Sequence, residues 1–137
     1  MSINQLVYLS QAVTKMSRAD LESIQNVAKT NNQPIDVTGS LFYNGGWFLQ
    51  ILEGPLATLE SLYHKIEQDP RHTNTRIIYN EPARFRTFGR WSMNMINLDD
   101  RQTDKYSELV GVIDAAKANR KIGAASPAAT LLKIFQS

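Results

Sequence analysis

The chain has 137 residues, 42% of them hydrophobic and 20% charged, the composition of one ordinary globular domain. Folding at this size removes about two-thirds of the surface an extended chain exposes, so the core needs no covalent or metal staple, and the absence of cysteine excludes disulfides, thiolate zinc sites and a catalytic thiol. The net charge of +2 comes from 15 basic and 13 acidic residues with no run of five like charges, which argues against direct nucleic-acid binding.

The N-terminus, MSINQLVYLSQ, has no basic leader region, and no segment approaches the roughly 18 apolar residues of a membrane span. The expectation is a cytosolic protein. Ile3 to Ser10 is apolar on both parities and rich in strand formers, as suits a strand covered on both faces. Ser17, with Asp20 three residues on, predicts a capped helix whose apolar residues Leu21, Ile24, Val27 and Ala28 run to Lys29. Asn31, Asn32 and Pro34 are read as its end.

Val37 to Tyr43 and Trp47 to Glu53 flank Asn44-Gly45-Gly46, residues that tolerate positive φ and so favour a tight hairpin. Gly54-Pro55 opens a second helix with Leu56, Leu59, Leu62, Tyr63 and Ile66 on one stripe, ending near Asp69-Pro70. Arg76 to Asn80 and Arg90 to Leu98 predict two more strands, joined by a connection that contains Pro82 and Gly89. The order strand, helix, strand, strand, helix, strand, strand suggests an α+β, ferredoxin-like βαββαββ sheet with two helices on one face.

After Asp99 the pattern turns helical. Tyr106, Leu109, Val110 and Ile113 form one stripe, and Ser126-Pro127 opens another with Leu131, Leu132 and Phe135. Two C-terminal helices are expected on the opposite sheet face, so that residues 1–98 form the domain and 99–137 a helical extension.

Some residues sit awkwardly in a plain core. In Trp47 to Glu53 one parity carries Trp47, Leu49 and Ile51, the other Phe48, Gln50 and Leu52. A buried Gln50 amide must find partners or cost about 1–3 kcal/mol, and a buried Tyr8 needs a partner for its hydroxyl. Trp91, Met93 and Met95 share a parity that suits adaptable packing. Each has a structural reading alone; together Tyr8, Gln50 and Met93 could converge beneath the two helices. Asn31-Asn32 reads either as a helix terminus or as amides for a heterocycle edge. Asp69 to His72, with Lys29 and Lys65, reads either as a turn with a solvated face or as a diphosphate site.

The chain resembles the BLUF family (blue-light sensing using FAD), especially its short stand-alone members. The resemblance runs over residues 3–98 through LVYLS with Tyr8, the Asn31-Asn32 pair, TGSLFYNGGWFLQILEG with Gln50, DPRH from Asp69 to His72, and WSMNM with Trp91 and Met93. It implies FAD between the two helices, its ring packed by Ile24, Phe48 and Ile66. Asn32, Asp69 and Arg71 would bond the ring edge, and Lys29, Asn31, Lys65 and His72 would lie near the ribityl chain or phosphates. Tyr8 would supply an electron and a proton to the excited flavin, Gln50 would bridge phenol and flavin and rearrange, and the change would leave through Met93 and the last strand. The resemblance leaves Trp91 either inward or outward. It implies a non-enzymatic photoreceptor that signals to a separate protein or through its own oligomeric state. The rival is a small ferredoxin-like flavin- or phosphate-handling enzyme using Asn32, Arg71 and His72.

Overall fold

The structure is a computed structural model that describes residues 3–89, 92–100 and 104–118. Strand β1 (Ile3–Ala12) is buried along most of its length because both of its neighbours and both sheet faces cover it. Helix α1 (Arg18–Asn32) starts with the expected capping box: Asp20 N donates to Ser17 Oγ at 3.1 Å and Ser17 N to Asp20 Oδ2 at 2.9 Å. It ends later than its sequence suggests. Pro34 falls in the opening of a 3-10 turn, Gln33–Ile35, where a missing N–H costs nothing, and the chain breaks only at Asp36, with φ of 58°. Asn31 and Asn32 therefore belong to the last helical turn.

Strands β2 (Thr38–Asn44) and β3 (Trp47–Gly54) form the expected hairpin. Its turn is Gly45-Gly46, with φ of 54° and 85°, the double positive φ that keeps a two-residue turn in step with strand twist. Helix α2 (Leu56–Glu67) follows. Strand β4 (His72–Ala83) is longer than Arg76 to Asn80 and takes in Pro82. Proline is tolerated because, among the described residues, β4 is an edge strand that pairs with β1 alone. Strand β5 (Asn94–Asn97) is shorter than Arg90 to Leu98, and Met93 precedes it. The parity argument for Met93 therefore fails, and Trp91 lies outside the described residues. A 3-10 turn (Leu98–Asp100) leads to α3 (Asp104–Lys117).

The sheet order is β4-β1-β3-β2-β5, antiparallel except for β2 and β5. This is the expected α+β ferredoxin-like arrangement with a fifth strand added. Two cores follow from strand parity. Leu6, Tyr8, Leu41, Phe48 and Leu52 face α1 and α2, with Leu21, Leu59 and Tyr63. Val7, Leu9, Phe42, Leu49 and Ile51 face the other way, under Leu109, Val112, Ile113 and Ala116 of α3. The first C-terminal helix thus covers the opposite face, as expected. The second, from Ser126-Pro127 to Phe135, lies outside the described residues.

Candidate functional site

Between α1, α2 and the sheet lies a cavity of about 220 Å³. The sheet supplies Tyr8, Leu41, Phe48, Gln50 and Leu52, α1 supplies Ile24, Val27, Ala28, Asn31 and Asn32, and α2 supplies Leu62, Lys65 and Ile66. Asp69, Arg71 and His72 close one end from the turn into β4. Apolar walls with a few convergent polar groups are the usual make-up of a cofactor pocket.

At the floor, Tyr8 and Gln50 are register partners on β1 and β3, so their side chains leave the same sheet face side by side. The Tyr8 hydroxyl donates to Gln50 Oε1, and Gln50 Nε2 lies 3.3 Å from Met93 Sδ. The sulfur can only accept, which puts the amide nitrogen on its side and the carbonyl on the phenol's. Tyr8 is 4% exposed and Met93 fully buried. Burial, then Tyr63 and the negative charge of Asp69, holds the Tyr8 phenol far above its ordinary value, so it keeps the proton that it donates to Gln50. The Tyr63 ring stands edge-on to it at 5.6 Å.

Met93 is held from α1 as well. Gln25 Nε2 donates to its carbonyl at 3.3 Å, and Asn32 Nδ2 donates to the Ser92 carbonyl at 3.0 Å. Asn32 thereby commits one of its two N–H groups within the fold, and its amide oxygen can accept from a ligand donor. At the polar end Arg71 grips Asp69 through Nε, at 3.0 and 3.1 Å, and through Nη2, at 2.6 Å. That grip holds the Asp69 carboxyl below its ordinary value and the guanidinium above its own. His72 Nε2 lies 2.7 Å from the Ile66 carbonyl, which can only accept, so Nε2 carries a proton, and Nδ1 lies 2.8 Å from the Ser10 hydroxyl oxygen. With both nitrogens engaged, the ring gives the wall its body, edge-on to Phe48 at 6.3 Å.

Of the residues singled out from sequence, Tyr8, Ile24, Asn31, Asn32, Phe48, Gln50, Lys65, Ile66, Asp69, Arg71 and His72 meet at this cavity. Met93 touches it through Gln50, whereas Lys29 is exposed and outside its wall. Sequence reading missed Val27, Ala28, Leu41, Leu52 and Leu62 as wall residues, although Leu52 shares the Phe48 and Gln50 parity and the helical ones sit on the stripes already noted. Gln25 gave no signal, because a glutamine on an amphipathic helix reads as solvated surface.

Residues 3–94 match the family model described as sensors of blue light using FAD. The chain is 46% identical over 84 residues to the photoactivated adenylate cyclase subunit alpha of Euglena gracilis, a stretch covering 61% of this chain and 8% of that protein. It superposes on a bacterial light-regulated adenylyl cyclase with a TM-score of 0.78 at 33% identity, over 85% of this chain and 35% of that one. The dark-state structure of BlrB, described as a BLUF protein, gives a TM-score of 0.77 at 26% identity and covers 98% of this chain and 95% of that one. The chain thus spans well under half of either cyclase and nearly all of BlrB. It belongs to the BLUF family of blue-light sensors that use FAD.

Proposed function

We propose that this chain is a blue-light photoreceptor, not itself an enzyme, that holds FAD non-covalently and signals by rearranging the Gln50 amide. The observation that carries the reading is the bonded row Tyr8–Gln50–Met93 along the wall of an apolar cavity. Ile24, Phe48 and Ile66 form the slot for a flat ring. The oxygens of Asn32 and Asp69 offer acceptors and the Arg71 guanidinium offers donors for its edge, and Asn31, Lys65 and, farther out, Lys29 suit a phosphate-bearing tail. His72 holds the slot's end in place. The cavity is smaller than the roughly 300 Å³ at which ligand pockets begin, so it encloses a ring rather than a whole dinucleotide.

Bound FAD supplies blue-light absorption and an excited state that accepts an electron from a nearby phenol. Tyr8 is the side chain placed to give that electron, and its proton already points at Gln50 Oε1. A half-turn of the Gln50 amide puts its nitrogen on the phenol side and leaves the Met93 sulfur facing a carbonyl, which has no hydrogen to give. Tautomerisation in place moves one N–H proton to the oxygen, makes that oxygen the donor toward the phenol, and breaks the Met93 contact when the proton moved is the one that faced the sulfur. Either way Met93 loses a partner, and Met93 leads directly into β5, the Leu98–Asp100 turn and α3. The sensor is thus residues 1–98 and the output element 99–137.

The output is a population shift read by a separate protein or by self-association, in the cytoplasm, with light biasing two arrangements of the same groups. The cyclase relatives, whose names join light to an effector activity, support coupling to a partner of that general kind. Absorption spectra of the purified protein in darkness and under blue light test the reading. The expected result is a flavin band that shifts to longer wavelength and recovers in the dark. A protein that takes up no FAD, or one whose band does not move, overturns it.

A further inference from the structure

Glu53 is fully buried on the sheet face away from the cavity. A carboxylate there carries a large desolvation cost unless its lone pairs are met. Gln5 Nε2 at 2.8 Å and Thr87 N at 2.6 Å donate to Oε2, and Thr38 Oγ1 at 3.0 Å and Phe88 N at 2.9 Å donate to Oε1. Gln5 and Thr38 are the register partners of Glu53 on the two flanking strands. Three adjacent strands therefore build one cup at the end of the sheet. The remaining two donors are consecutive backbone N–H groups of the connection between β4 and β5. Arg86, on the same connection, donates to Thr38 Oγ1 at 2.9 Å and to the carbonyls of Glu53 and Asp36 at 3.0 and 2.8 Å.

That connection joins the two sheet faces. It leaves β4 beside the start of β1 at one edge and must cross the ends of β1, β3 and β2 to reach β5 at the other. Phe88 is buried in the core under α3, and Met93 in the core under α1 and α2. The chain therefore changes faces between Phe88 and Met93. An apolar side chain at position 53 could fill the space. What a carboxylate adds is a two-oxygen grip on two successive backbone groups.

We propose that Glu53 is a positioning residue for the light switch: by fixing Thr87 and Phe88 it sets the point from which the chain turns to deliver Met93 Sδ to Gln50 Nε2. Its part in the light response rests on the function proposed above, whereas the geometry it controls does not. Glu53→Gln keeps the shape but leaves one acceptor oxygen and turns an amide N–H toward a backbone N–H. With methyl-labelled methionine in the full FAD-loaded chain, the readouts are the through-space NMR contact between the Met93 methyl and the Gln50 amide in darkness, and the recovery time after a blue flash.

The wild type is expected to show the contact, and Glu53→Gln to lose it and change the recovery time by at least about threefold. A purely structural residue would lower Tm in Glu53→Gln yet leave both readouts alone, which overturns the proposal. So does a wild type without the contact. If Glu53→Gln fails to fold, Arg86→Ala loosens the same connection from its outer side, and an undiminished contact there overturns the proposal as well. A wild type that binds FAD without a light-induced shift sinks the photoreceptor reading, while the dark contact still decides the role of Glu53.

Discussion

Gln50 sits between a phenol that donates to it and a thioether that can only accept from it, and its two ends are not interchangeable without loss. Tyr8→Phe removes the donor and leaves the Gln50 carbonyl buried without it, a cost of about 1–3 kcal/mol. The slot residues are untouched, so FAD uptake is expected to persist while the reversible light shift disappears. Gln50→Leu is expected to do the same from the other side, as it breaks both bonds at once. A normal photocycle in either variant, recorded by the same dark and light spectra, would remove that residue from the mechanism.

At the scale of elements, the sheet separates two tasks. Its one face, with α1 and α2, carries the cavity, and its other face carries the buried Glu53 cup at one end and, under α3, an apolar core: Leu109, Val112 and Ile113 are fully buried against Val7, Leu9, Leu49 and Ile51. Leu109→Ala is expected to cost about 2–5 kcal/mol, as for other buried leucines, seen as a lower urea midpoint. Below that transition FAD uptake should match the wild type, since among the described residues no α3 side chain lines the cavity. Uptake that falls in parallel would show that the cavity's shape depends on the opposite face. The hairpin is fastened separately, with Asp99 Oδ1 accepting from Asn44 Nδ2 and Gly45 N, each at 3.0 Å.

For the whole molecule, the shifted groups define a stability window in pH. Tyr8, Tyr63 and Tyr79 all have folded values raised above the ordinary 10.0, with burial as the first cause in each. Above pH 10 the unfolded phenols ionise while the folded ones keep their protons, so the folded state binds more protons and stability falls as pH rises. Asp69 is shifted the other way, below its ordinary 3.8, first by its bond from Arg71. Its contribution is present above that value and is lost as pH falls through the folded one. Urea midpoints measured across pH are expected to drop on the alkaline side, less steeply in Tyr8→Phe, which lacks the most deeply buried of these three phenols. An unchanged alkaline slope in that variant would mean that Tyr8 ionises freely in the fold.

Local chemistry was legible wherever it is set by neighbours in the chain. The Ser17–Asp20 cap, the Gly45-Gly46 turn, the parity that sends Gln50 and Phe48 to one face, and the helical stripes of α1 and α2 all depend on residues a few positions apart. The late end of α1, the length of β4 and the shortness of β5 were not legible, because each depends on a partner distant in sequence: an edge position that admits Pro82, or a connection held by Glu53, Gln25 and Asn32 in place of a strand ladder. Met93 shows the division most clearly. Its residue type and the motif around it marked it from sequence, but the strand parity used to aim it does not apply, since it lies before β5. Sequence alone determined the order of elements, the two-faced strands and the set of residues to watch. Only the tertiary structure decided that Tyr8, Gln50 and Met93 form one bonded row, because register across strands and the clamping of a long connection are settled by contacts between residues far apart in the chain.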